Sequence, residues 1–154
     1  MSCSLSEGVS RYLDVLYEEY DRFDFRQTTV GVTPEEFAAL EDRRHGVAVR
    51  ARIESEAGVL ALPDGDDWTL PGGVLDTDPV PETVAGLLER RTGVRCTIDG
   101  LDRVSTVCLR GRRDDEVWTL STLFAATATG GDPSGGAVWR DPPIAPPTLA
   151  FSLA

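Results

Sequence analysis

A chain of 154 residues holds one domain, which buries about two thirds of the surface its unfolded form exposes. Its 15 basic residues, all of them arginine, face 26 acids for a net charge of −11. That balance argues against a nucleic-acid partner, which needs a basic face, and against adsorption to anionic membranes. An acidic, lysine-free chain looks like the cytoplasmic proteins of salt-loving organisms, where concentrated salt screens self-repulsion.

The first element in chain order is a helix. Ser4 can cap it, Glu7 follows three residues on, and Val9, Tyr12, Leu13, Leu16 and Tyr20 share one face. Thr33-Pro34-Glu35-Glu36 predicts a second helix start ahead of Phe37 and Leu40. Residues 1–45 are therefore expected to form a helical extension, which packs on a sheet or makes a homodimer contact. From Gly46 the period changes: Val47, Val49, Ala51 and Ile53 alternate with Ala48, Arg50 and Arg52, as in a half-buried strand. A strand at 59–62, a turn at Pro63-Asp64-Gly65-Asp66, a short run Trp68-Thr69-Leu70 and a break at Pro71-Gly72-Gly73 follow.

Residues 82–92 predict a helix with Val84, Leu87 and Leu88 as its apolar stripe. Two strands, at 103–110 and 117–128, flank the charged turn Gly111-Arg112-Arg113-Asp114-Asp115 and predict a hairpin. Val138-Trp139 is a further short strand, and residues 142–154 are a Pro-rich tail. The pattern predicts one α+β domain at 46–141. Cys3, Cys96 and Cys108 have neither a C-x-x-C spacing nor an even number, so a disulfide framework or zinc knuckle is not expected. His45, the lone histidine, has no partner for a triad or a metal pair. No apolar run approaches ~18 residues, so a soluble, cytoplasmic chain is expected.

Trp68-Thr69-Leu70-Pro71-Gly72-Gly73, followed by Arg91-Thr92-Gly93-Val94, resembles the Nudix hydrolase (MutT-like) family. The family box reads G-x5-E-x7-R-E-U-x-E-E-x-G-U, with U a bulky aliphatic residue, and forms a loop–helix–loop. The resemblance implies a Nudix fold, a mixed sheet packed between helices. It also implies Mg²⁺ held by glutamates on one helical face, polarising a pyrophosphate and activating a water. Anchored on Gly93-Val94, the R-E-U-x-E-E positions fall on Gly86, Leu87, Leu88, Glu89, Arg90 and Arg91. Leu87, Arg90 and Arg91 thus stand where glutamates are expected. The upstream glutamate position falls on Asp78 counted from Gly72, and on Pro79 counted from Gly73.

Replacing three carboxylates by two guanidinium groups changes the local charge by five units. One like charge at 4 Å costs about 4 kcal/mol at an effective dielectric of 20. The sequence therefore predicts that the usual Mg²⁺-dependent site is lost and no cofactor is held there. Gly72, Gly73, Arg90 and Arg91 become the candidates for binding a nucleotide-like or phosphorylated small molecule. Two other readings stay open. In one, Asp76 and Asp78 with Glu82 and Glu89, the last two seven apart on one helical face, form a rearranged Mg²⁺ site that still hydrolyses a nucleoside diphosphate linked to another moiety. In the other, the chain is a non-catalytic interaction module that dimerises through its N-terminal segment.

Overall fold

The computed structural model describes residues 7–36, 47–111 and 116–141. Helix α1 (Glu7–Glu19) opens the chain, and Val9, Leu13, Leu16 and Tyr20 are buried on the face that the sequence periodicity marks. Strand β1 (Asp24–Gly31) follows. This corrects the expectation of a purely helical extension: β1 pairs in parallel with β6 over its whole length and belongs to the sheet. Its side chains are exposed at nearly every position. With neither face buried, no apolar alternation marked it as a strand. The helix start at Thr33 is present. The Glu36 amide donates to Thr33 Oγ1 at 3.1 Å, an N-terminal cap, and the Thr33 hydroxyl donates to the Glu36 carboxylate at 3.0 Å. Phe37, Leu40 and His45 lie outside the described residues.

The central strands are β2 (Val47–Ser55), β3 (Gly58–Asp64), β4 (Asp67–Thr69) and β5 (Gly72–Leu75). Helix α2 (Pro81–Thr92) follows, then β6 (Val94–Arg110), β7 (Glu116–Gly131) and β8 (Val138–Arg140). The sheet runs β1-β6-β7-β2-β3-β4, with β5 added to β2 and β8 to β3. The β1/β6 and β2/β7 pairs are parallel and the others antiparallel, so the sheet is mixed and the fold is α+β, as the sequence predicts. The long β6/β7 ladder shifts register at three points, which bends it. The turn at 112–115 and the tail beyond 141 lie outside the described residues.

Strand β2 forks the sheet, and this fork positions the site. Its far end, Glu54 and Ser55, pairs with β3, while its first half, Val47–Arg50, pairs with β5. The Ala51 amide bridges the gap by donating to the Pro71 carbonyl at 3.0 Å. Val47, Val49, Ala51 and Ile53 point inward with Leu120, Phe124 and the buried residues of both helices, in one continuous core. Each such aliphatic side chain contributes about 1.5–3 kcal/mol on burial. The opposite face of β2 carries Arg50 and Arg52.

Candidate functional site

Gly72 and Gly73 lie in a strand, not in the turn expected after Trp68-Thr69-Leu70: Gly72 pairs with Arg50 and Gly73 with Val49. A Cβ on Gly72 would run into the Val49 carbonyl oxygen, so only glycine allows this approach of β5 to β2. Gly73 has a different neighbour. A Cβ there would lie 3.1 Å from Nε and 3.3 Å from one terminal nitrogen of Arg91. The guanidinium of Arg91 is thus laid across the bare backbone of β5.

The helix explains this direction. Val84, Leu87 and Leu88 are buried, and Arg91 stands seven, four and three residues after them, on the same stripe. Its stem continues the apolar face and its charged head emerges over the sheet edge. Arg90, rotated about 100° further round, lies back along its own helix, with a terminal nitrogen 3.7 Å from a Cβ placed on Gly86. Of the two candidate arginines, the structure brings one to the glycines. Both also lie in the last helical turn, where cations complement the helix dipole. The helix ends on Gly93 in the left-handed region (φ 77°), whose amide donates to the Glu89 carbonyl at 2.8 Å.

The carboxylates are dispersed. Asp78 is ion-paired with Arg11 of α1 at 3.3 Å, both groups well exposed. Its backbone oxygen accepts from Thr83 Oγ1 at 2.6 Å and from the Val80 amide at 2.8 Å. Tyr20 pins the same loop by donating to the Pro79 carbonyl at 3.0 Å, and burial first, then Glu19 and Glu82, raises its phenol above the usual range. Glu82 is thus close enough to Tyr20, at the end of α1, to act on it. Glu89 lies at the other end of α2, near Cys96, whose thiol is pushed up to about 11 by burial, Asp99 and Glu89. The two glutamates share a helical face but are about 10 Å apart along the axis.

No three His, Cys, Asp or Glu side chains among the described residues form a group that could hold a metal ion. At the box positions themselves stand Leu87, 6% exposed and packed in the core, and two guanidinium groups. This donor set does not fit a divalent cation, which takes oxygen ligands.

The sequence reading missed Arg50. It is half-buried on the outward face of β2, in register with Gly72, and its guanidinium has no ion-pair partner among the described residues. Burial lowers its pKa; Asp64 opposes that and Arg91 reinforces it, so Arg91 is close enough to act on it. The available signal was an arginine at an outward strand position one residue from Val49. Of the tryptophans, Trp118 is in the core, Trp139 packs against it, and Trp68 is half-buried with the Arg140 guanidinium 4.5 Å above its ring.

A mixed sheet with a glycine strand, loop and helix crossing one of its edges defines an α+β protein. No protein-family model matches the chain. Over an alignment of 71 residues that covers 44% of the chain, it is 41% identical to a MutT-like protein of Streptomyces ambofaciens, and the chain spans about half the length (46%) of that relative. Solved structures with a similar course include a MutT Nudix hydrolase from Burkholderia pseudomallei (21% identity, 68% of this chain and 92% of that one, TM-score 0.45). An ADP-ribose pyrophosphatase from Streptococcus suis is another (18% identity, 60% and 69%, TM-score 0.41). The match to the Streptomyces protein and the strand–loop–helix at 68–94 support assigning the chain to the Nudix, MutT-like family. Among the described residues no helix is long and apolar enough to cross a membrane.

Proposed function

We propose that this Nudix-family chain binds a nucleotide-like or phosphorylated small molecule and has lost the family's Mg²⁺-dependent pyrophosphohydrolase site. One observation carries the reading: the Arg91 guanidinium lies over Gly73, at a box position where the resemblance implies a metal-binding glutamate. A fixed cation there attracts phosphoryl oxygens and repels a divalent metal. Buried Leu87 supports the same reading, because a carboxylate in its place would be desolvated in the core. The test is calorimetric titration of ADP-ribose and a nucleotide panel in high salt, with and without Mg²⁺. Binding indifferent to Mg²⁺ and absent from the Arg90→Ala/Arg91→Ala variant is expected. A requirement for Mg²⁺, or heat from turnover, overturns it.

A homodimer contact is a second reading with its own observation. Strand β1 lies at the sheet edge with Phe25 42% exposed, and Tyr17, 60% exposed, is in ring contact with Phe23. Edge strands with exposed aromatics favour pairing between copies. Light scattering should give a dimer mass that Phe25→Glu reduces to a monomer; a monomeric wild type rejects this reading.

A further inference from the structure

Strand β1 ends the sheet, and it pairs with β6 from Asp24 to Gly31 without a register shift. Along an extended chain the N–H and C=O of one residue point to one side, and those of the next to the other. Just past the strand, the Val32 amide donates to the Arg110 carbonyl of β6 at 2.9 Å, which fixes the phase. Val30, Thr28 and Arg26 therefore turn their backbone groups to β6. Phe25, Gln27, Thr29 and Gly31 turn theirs outward, where no strand among the described residues receives them.

Such an edge is usually blunted by lysine, proline or a bulge, and β1 has none of these. It is also neutral, Asp24 balancing Arg26, in a chain of net charge −11. A second copy thus approaches it without carboxylates meeting, and the strand is complementary to itself in one register. Antiparallel pairing of two β1 strands must bring outward residues opposite outward residues. Only a two-fold axis at Thr28 uses all four. It sets Phe25 against Gly31 and Gln27 against Thr29 of the second copy, and each pair exchanges two hydrogen bonds. The positions between set Thr28 against Thr28 and Arg26 against Val30, so like charges do not meet. Moving the axis to Arg26 would set that guanidinium against its own copy. Phe25 and Gly31 share one side of the sheet. Phe25 is 42% exposed, and a Cβ on Gly31 meets nothing within 4 Å, so each ring has open backbone to cover in the other copy.

We propose that two copies of the chain join through β1 in antiparallel pairing about a two-fold axis at Thr28, which continues the mixed sheet from one copy into the other. The pairing rests on the reading of β1 as a homodimer contact, and adds to it the mode of association and the register.

The test is sedimentation equilibrium and disulfide trapping on the full chain in high salt, which screens the repulsion between two acidic copies. The wild type is expected to dimerise, more tightly as salt rises. Thr29→Pro removes an outward N–H and leaves the β1/β6 pairing alone. Dimer affinity should fall about tenfold or more, while the monomer keeps its melting temperature. In a Cys3→Ser background, oxidation should link Thr28→Cys to its own copy, because paired residues on the axis lie about 4.5 Å apart between Cα atoms. Gln27→Cys and Thr29→Cys each stand opposite a different residue and should link several-fold less. A dimer that ignores Thr29→Pro but is lost in Phe25→Glu overturns the strand pairing and leaves the homodimer reading standing. A dimer weakened by Thr29→Pro that links best at Gln27→Cys or Thr29→Cys overturns the register. A wild type monomeric at every salt concentration overturns both, and leaves the edge to a strand of some other protein.

Discussion

The Arg91 guanidinium rests on Gly73, with its Nε 3.1 Å from where a Cβ would stand, while the adjacent Gly72 faces the Val49 carbonyl. The two glycines are therefore needed for different reasons, and substitution should separate them. Gly73→Ala meets only the end of a flexible side chain. It should cost less than about 1 kcal/mol, yet displace Arg91 and weaken phosphate binding several-fold. Gly72→Ala meets fixed backbone and should cost about 3 kcal/mol through overpacking. Paired urea melts and titrations check this; equal stability losses would show that β5 tolerates a side chain at neither position or at both.

Tyr20 ties α1 to the loop that enters α2. Its hydroxyl donates to the Pro79 carbonyl at 3.0 Å, and its ring packs edge-on against Phe124 at 5.4 Å between centroids. Tyr20→Phe keeps the ring and removes the donor, leaving a buried carbonyl unsatisfied, so stability should fall by about 1–2 kcal/mol. The denaturation midpoint at fixed salt measures it. An unchanged midpoint would mean that water takes the place of the hydroxyl.

Much of the fold was legible because its strands and helices bury one face. Val47 to Ile53 alternate, and Val84, Leu87 and Leu88 recur at helical spacing, so both elements emerged with nearly their observed limits. Strand β1 was illegible for the converse reason: an exposed edge strand needs no apolar alternation, and Asp24–Gly31 has none that is buried. The site divides in the same way. That Leu87, Arg90 and Arg91 occupy the positions where the resemblance implies glutamates is written in the sequence, as is the link between Arg91 and the glycines through box spacing. That Gly72-Gly73 is a strand rather than a turn depends on β2 lying beside it, a long-range fact. Arg50 depends on the same pairing, which no local pattern encodes.

Alkaline pH should weaken the fold through Cys96. Burial, Asp99 and Glu89 hold its thiol at about 11 in the folded chain, above its ordinary value of 9.0. Between these values the unfolded chain releases the proton and the folded chain retains it. Stability is therefore undiminished below pH 9 and declines as the pH rises toward 11. Tyr20, also raised, adds a decline of the same sign at higher pH. Cys96→Ala should flatten the slope between pH 9 and 11 without reversing it; an identical slope in the variant would assign the decline to other groups.

Introducing the box carboxylates tests the proposed absence of a metal site. Arg90→Glu/Arg91→Glu with Leu87→Glu places three carboxylates where two guanidinium groups and a core leucine now stand. Without metal the variant should be destabilised by about 3 kcal/mol or more, because Leu87 is buried and the new charges repel one another. Mg²⁺ binds the folded form of such a site in preference to the unfolded form, so at constant ionic strength it should raise the variant's melting temperature. The wild type, with guanidinium groups in those places, should not respond. If the triple variant fails to fold, Arg90→Glu/Arg91→Glu leaves Leu87 in the core and asks the same question with two carboxylates. A wild type stabilised by Mg²⁺ as strongly as either variant would show that the chain holds a metal with other ligands, and the metal-free reading would fall.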